Sequence, residues 1–129
     1  MDHTILGNTP YQIIVNNYKN KKFNELVYVN GDISPKNKHY LNTSQSCYVD
    51  GIYPYKSELV YLLFPIKHEN LPPCQPLGFL CIDCNENHKF DNDYDKAIIE
   101  GVADGIYNVI IKRNIILKQK ITEDVKETA

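Results

Sequence analysis

The stretch Ser57-Glu58-Leu59-Val60-Tyr61-Leu62-Leu63-Phe64-Pro65-Ile66 decides the fold. Leu59, Tyr61 and Leu63 alternate with Val60, Leu62, Phe64 and Ile66, so both faces of an extended chain are apolar. A strand with two apolar faces is covered on both sides and belongs in the middle of a sheet. Pro65 has no amide to donate and marks a bulge or the end of the strand. A partner lies close by in sequence: Leu77 to Cys84 reads as a second strand, joined to the first through Leu71 to Pro76, whose three prolines make a stiff connection.

Working outward, Glu25 to Asn30 is rich in β-branched and aromatic residues and runs into the turn signal Gly31-Asp32, which predicts a third strand. Before it, Thr9 as N-cap and Pro10 at the first helical position open a short amphipathic helix carrying Tyr11, Ile14, Val15 and Tyr18. Residues 31–54 show no sustained period and read as a long loop, with one short strand between Cys47 and Tyr53. On the C-terminal side, Asp91 or Asp93 caps a helix from Asn92 to Arg113, extendable to Gln119. Its packing side is marked by Tyr94, Ile98, Val102, Ile106, Val109 and Arg113 and broadened by Ile99, Ala103 and Ile110. The expected fold is α/β of the α+β kind: a mostly antiparallel sheet, the long last helix on one face and the tyrosine-rich loop on the other. Residues 1–120 form one domain, and 121–129 form a charged, frayed tail.

With 14 basic against 16 acidic side chains among 129 residues, the chain has no broad positive field, which argues against nucleic acid as a partner. No apolar run approaches the roughly 20 residues that span a bilayer, and the first residues lack a secretory pattern, so a cytoplasmic protein is expected. In that compartment Cys47, Cys74, Cys81 and Cys84 are expected as thiols rather than disulfides.

Candidate chemistry is sparse. Cys81 and Cys84 form a C-x-x-C with Cys74 before and His88 after, a ligand set for zinc, but residues three apart on a strand point to opposite faces, so one ion reaches both cysteines only if the strand ends first. Asp91, Asp93 and Asp95 alternate like calcium-loop ligands, yet Lys96 stands where that loop needs glycine, and the acids suit a helix N-terminus instead. The four histidines are tied by sequence to no particular nucleophile or carboxylate, so no catalytic residue is assigned and a non-enzymatic role is expected. Gly101 and Gly105 each cost the last helix about 1 kcal/mol relative to alanine, which close packing on the sheet or on a second copy would offset. Of ten tyrosines, Tyr28, Tyr40, Tyr48, Tyr53, Tyr55 and Tyr61 crowd the middle segment and suit either a ligand pocket or a core without tryptophan.

The order Pro54-Tyr55-Lys56-Ser57-Glu58-Leu59-Val60, Phe64-Pro65-Ile66, Leu77-Gly78-Phe79-Leu80-Cys81-Ile82-Asp83, then Phe90 and a long helix resembles the C-terminal half of a GAF domain over residues 54–110. The resemblance implies a sensor or interaction module. Too few residues precede Thr9 for that family's opening helix and two strands, so an abbreviated sheet is expected. No cysteine matches a bilin-attachment motif. The expected function is a non-catalytic regulatory domain without a cofactor. It would hold a small molecule under the middle loop, with Asn30, Asp32, Tyr40, Tyr55, Ser57 and Tyr61 as pocket residues. The alternatives are a ligand-free interaction module or homodimer using Gly101 and Gly105, and a zinc- or thiol-dependent enzyme.

Overall fold

The computed structural model describes residues 7–34, 36–65 and 75–127, so Cys74 of the zinc set and the connection 66–74 lie outside the described residues. The first helix, α1, spans Thr9–Lys19 with Pro10 in its first turn. Asn8, not Thr9, is the N-cap residue, and neither side chain caps the helix. Both are used to hold the middle loop: the Thr9 hydroxyl accepts the Leu41 amide at 2.8 Å, and Asn8 Oδ1 accepts the Thr43 amide at 2.7 Å.

Three strands follow: β1 (Val27–Asn30), β2 (Ser57–Leu62) and β3 (Phe79–Cys84). They form an antiparallel sheet in the order β1-β2-β3, and every residue of β2 is buried, as two apolar faces require. Val60 pairs with Tyr28 on one side and Cys81 on the other. The ladder ends before Pro65, though Leu77 still donates to the Leu63 carbonyl at 3.0 Å. The expected strand between Cys47 and Tyr53 is absent. Two 3-10 turns, Gln45–Cys47 and Val49–Gly51, take its place, and their short-range amide bonds use up the groups a ladder would need.

Cross-strand pairing divides the sheet into two faces. Val27, Val29, Ser57, Leu59, Tyr61, Leu80, Ile82 and Cys84 share one, and Tyr28, Asn30, Glu58, Val60, Leu62, Phe79, Cys81 and Asp83 the other. The last helix, α2, spans Tyr94–Glu127 and is capped by Asp91, whose Oδ1 accepts the amides of Asp93 and Tyr94 at 2.7 and 2.8 Å. It packs on β2. On the opposite face, Tyr11 of α1 stacks at a tilt on Phe79, and the middle loop covers the end near Glu58.

Two expectations for α2 are corrected. Its buried seam is Ile99, Ala103 and Tyr107, while Tyr94, Ile98, Val102 and Val109 face solvent, at 79%, 63%, 49% and 66% exposure. Apolar residues surround the helix, so periodicity alone could not pick the seam. The helix also continues beyond Gln119 to Glu127, through a stretch of Lys, Gln, Glu and Ile with no glycine or proline to end it. At 1.5 Å per residue, its 34 residues span about 51 Å, against about 20 Å for a six-residue strand, so its C-terminal half extends past the sheet.

A glycine is required at position 31. A Cβ there would lie 3.2 Å from the His88 Cα and closer still to its ring, and the His88 amide donates to the Gly31 carbonyl at 2.8 Å. This contact ties the end of β1 to the turn after β3.

Candidate functional site

The six residues chosen from sequence divide between the two faces of the sheet. Ser57 is fully buried on the α2 face, where its hydroxyl donates to the Glu86 carbonyl at 2.8 Å and fixes the turn after β3. Tyr61, also on that face, has its phenol pushed up to about 12 by burial and by the charges of Glu100 and Asp104. It lines a cleft of about 430 Å³ with Phe23, Leu26, Phe64, Pro65 and Lys96.

The remaining four gather on the other face. Asn30 is spent on local structure: its amide donates to the Tyr28 hydroxyl at 3.1 Å and its carbonyl accepts the Asp32 amide at 3.0 Å. Asp32 and Tyr55 line a cleft of about 220 Å³ together with Ile33, Ser34, Ile52, Tyr53, Lys56 and Asn87. Tyr40 lies beneath the loop in a small second core with Ile33 and Tyr53, against which Tyr48 and Tyr55 pack. The rings of Tyr40 and Tyr53 meet edge to face with centroids 5.4 Å apart. Much of the space under the middle loop is thus filled by its own tyrosines, and the opening lies beside them.

The central residue of this region is Glu58, which the sequence reading did not single out. Alternation along β2 turns it toward the tyrosines, and it is 4% exposed. The Tyr40 hydroxyl donates to its Oε2 at 3.0 Å, while Oε1 is buried without a hydrogen-bond partner among the described residues. Burial pushes the carboxyl up to about 7; the Tyr40 bond opposes the rise and Asp83, directly opposite on β3, adds to it. The Tyr55 hydroxyl accepts the Asn42 amide at 2.9 Å. Tyr53 has the complementary feature: its hydroxyl, too, is buried with no partner among the described residues. Burial, with Tyr48 and Glu58 nearby, raises its pKa.

This arrangement can hold a proton or a hydrogen-bonding guest but assembles no nucleophile with a base. Cys81, the nearest thiol, has its pKa raised by burial and meets the Tyr11 hydroxyl at 3.4 Å. Strand β3 runs through Cys84, so Cys81 and Cys84 point to opposite faces of the sheet, and among the described residues no three His, Cys, Asp or Glu side chains converge on one point. Cys81 and Cys84 are thiols and form no disulfide. Gly101 and Gly105 lie where an added Cβ would meet nothing within 4 Å, so close packing on the sheet does not explain them. No helix among the described residues is long and apolar enough to cross a membrane.

Glu58 was legible in principle. An acid directly before the apolar run Leu59 to Phe64, on a strand covered on both faces, is drawn into the interior with that strand, and a buried acid needs a hydrogen-bonding environment. Comparison with protein-family profiles, curated proteins and solved structures finds no match to this chain.

Proposed function

We propose that this chain is a non-catalytic sensor domain, GAF-like in kind, that takes a small metabolite in the cleft between the middle loop and the turn after β3. The observation that carries the reading is Tyr53. Its ring lines the cleft, and its hydroxyl, buried behind the ring, has no hydrogen-bond partner among the described residues, as is also true of Glu58 Oε1 on β2. Buried polar atoms without partners are uncommon in folded proteins and call for a guest or an ordered water. The cleft walls bear Asp32 and Lys56, of opposite charge, and the tilted rings of Tyr53 and Tyr55 with centroids 5.8 Å apart. A volume of about 220 Å³ is below the range typical of drug-sized ligands, which favours a zwitterion of amino-acid size over a nucleotide or tetrapyrrole. In this reading the guest's ammonium lies toward Asp32, its carboxylate toward Lys56, and its apolar part on the two rings. Binding would then tighten the middle loop over β2, a population shift that a linked partner could read.

Calorimetry with the common amino acids as probes tests the proposal. One class should bind the wild-type chain, with affinity lost in Lys56→Ala and weakened in Tyr53→Phe, while both variants melt as the wild type does. Binding of none of them, or binding indifferent to both substitutions, would overturn it.

A further inference from the structure

The outer face of α2 carries a second site. Ile98, Val102, Gly105, Val109 and Ile116 fall within a sector of about 60° around the helix, and that sector lies about 130° from the buried seam of Ile99, Ala103 and Tyr107. The four aliphatic side chains on it are 49–66% exposed, a continuous apolar stripe of a kind that marks an interaction surface. Gly105 sits within the stripe and Gly101 at its margin, each lowering helix propensity and neither filling any need of the protomer, since a methyl group at either would meet open space. Glycine on a helix surface lets another backbone approach closely.

We infer that the occupant of this stripe is the α2 helix of a second copy of the chain, running antiparallel. The charges on and beside the stripe give the direction. Asp95 lies near its N-terminal end, partly exposed, with one carboxylate oxygen held by the Asp91 amide; Lys112, Arg113 and Lys120 lie in its C-terminal half, with Glu123 beyond the last aliphatic contact. An antiparallel pair that sets Ile98 opposite Ile116 of the second copy also sets Gly105 opposite Val109 and brings Lys120 to Asp95. Two-fold symmetry makes each of these contacts twice. Val102 then meets Lys112, whose aliphatic stem can cover it while the ammonium stays in water. A parallel pair would instead stack Lys112 on Lys112 and Lys120 on Lys120, a like-charge arrangement that disfavours it. The length of α2 supplies the surface: its extension past the sheet leaves the C-terminal half free to lie along the N-terminal half of the other copy. The pairing is independent of whether the cleft holds a metabolite.

Sedimentation equilibrium of the full chain tests this. The wild type should dimerise, and Val109→Glu, which puts two acids at the centre of the contact, should be monomeric with unchanged helix content. Lys120→Gln decides the direction, because it weakens an antiparallel dimer several-fold by removing both contacts with Asp95 and tightens a parallel one, where it removes the Lys120–Lys120 repulsion. Gly105→Ala should weaken the dimer as well. A wild type that stays monomeric at about 200 µM overturns the inference, and cosedimentation of such a monomer with anionic phospholipid vesicles would assign the stripe to lipid. Tightening by Lys120→Gln also overturns it.

Discussion

Replacing Glu58 by glutamine should largely remove one component of the pH dependence of folding. The carboxyl is buried on the central strand with one oxygen unpartnered, and burial raises it from 4.5 to about 7. Between those values the folded chain holds a proton that the unfolded chain has released. Stability therefore falls with rising pH at about 1.4 kcal/mol per pH unit, a loss of about 3 kcal/mol in all. The contribution is fully present below pH 4.5 and gone above pH 7. Urea denaturation of wild type and Glu58→Gln at pH 5, 6, 7 and 8.5 reads it directly. Other groups titrate in both proteins, so the quantity of interest is the difference between the two curves, which should shift by about 3 kcal/mol across the series in favour of glutamine at high pH. A constant difference would refute the buried, proton-holding state of Glu58.

Tyr40→Phe removes the hydroxyl that holds Glu58 Oε2 and should cost about 1–3 kcal/mol above pH 7, with the Glu58 midpoint moving further up, measured by the same denaturation series. Gly31→Ala places a methyl group against His88 and should destabilise by about 1–3 kcal/mol, seen as a lower urea midpoint with unchanged slope. Leu59→Ala opens a cavity under α2 at a residue 1% exposed and should cost about 2–5 kcal/mol by the same assay.

What the sequence revealed follows from how strongly each signal was determined. Ser57–Leu62 could be placed because six consecutive buried residues leave a strand no other position in a sheet, and Pro65 lay just beyond its end. The place before an apolar repeat marked Asp91 or Asp93 as the cap, and the geometry selects Asp91. The packing face of α2 was not legible, since Ile98 and Ile99, or Val102 and Ala103, are adjacent in sequence and either series makes an apolar stripe; only the shape of the sheet beneath selects Ile99 and Ala103. The face that lost that choice is the one assigned here to a second copy. For the site, Asp32 and Tyr55 were found through loop composition and do share a cleft, whereas Ser57 and Tyr61 were grouped with Tyr40 although strand alternation sends Ser57 and Tyr61 to the opposite side from Glu58. Attention to tyrosine number drew notice away from the one acid around which Tyr40, Tyr53 and Tyr55 are arranged.

The central claim is that the opening beside those tyrosines is a binding site. Titrating the uniformly ¹⁵N-labelled chain with each amino acid and following its backbone amides tests it most directly. One chemical class should shift a contiguous set at Asp32 to Ser34, Ile52, Tyr53, Tyr55, Lys56 and Asn87, leaving the outer face of α2 unmoved. Spectra that stay unchanged with every probe, or shifts confined to residues on the α2 side of the sheet, would contradict it.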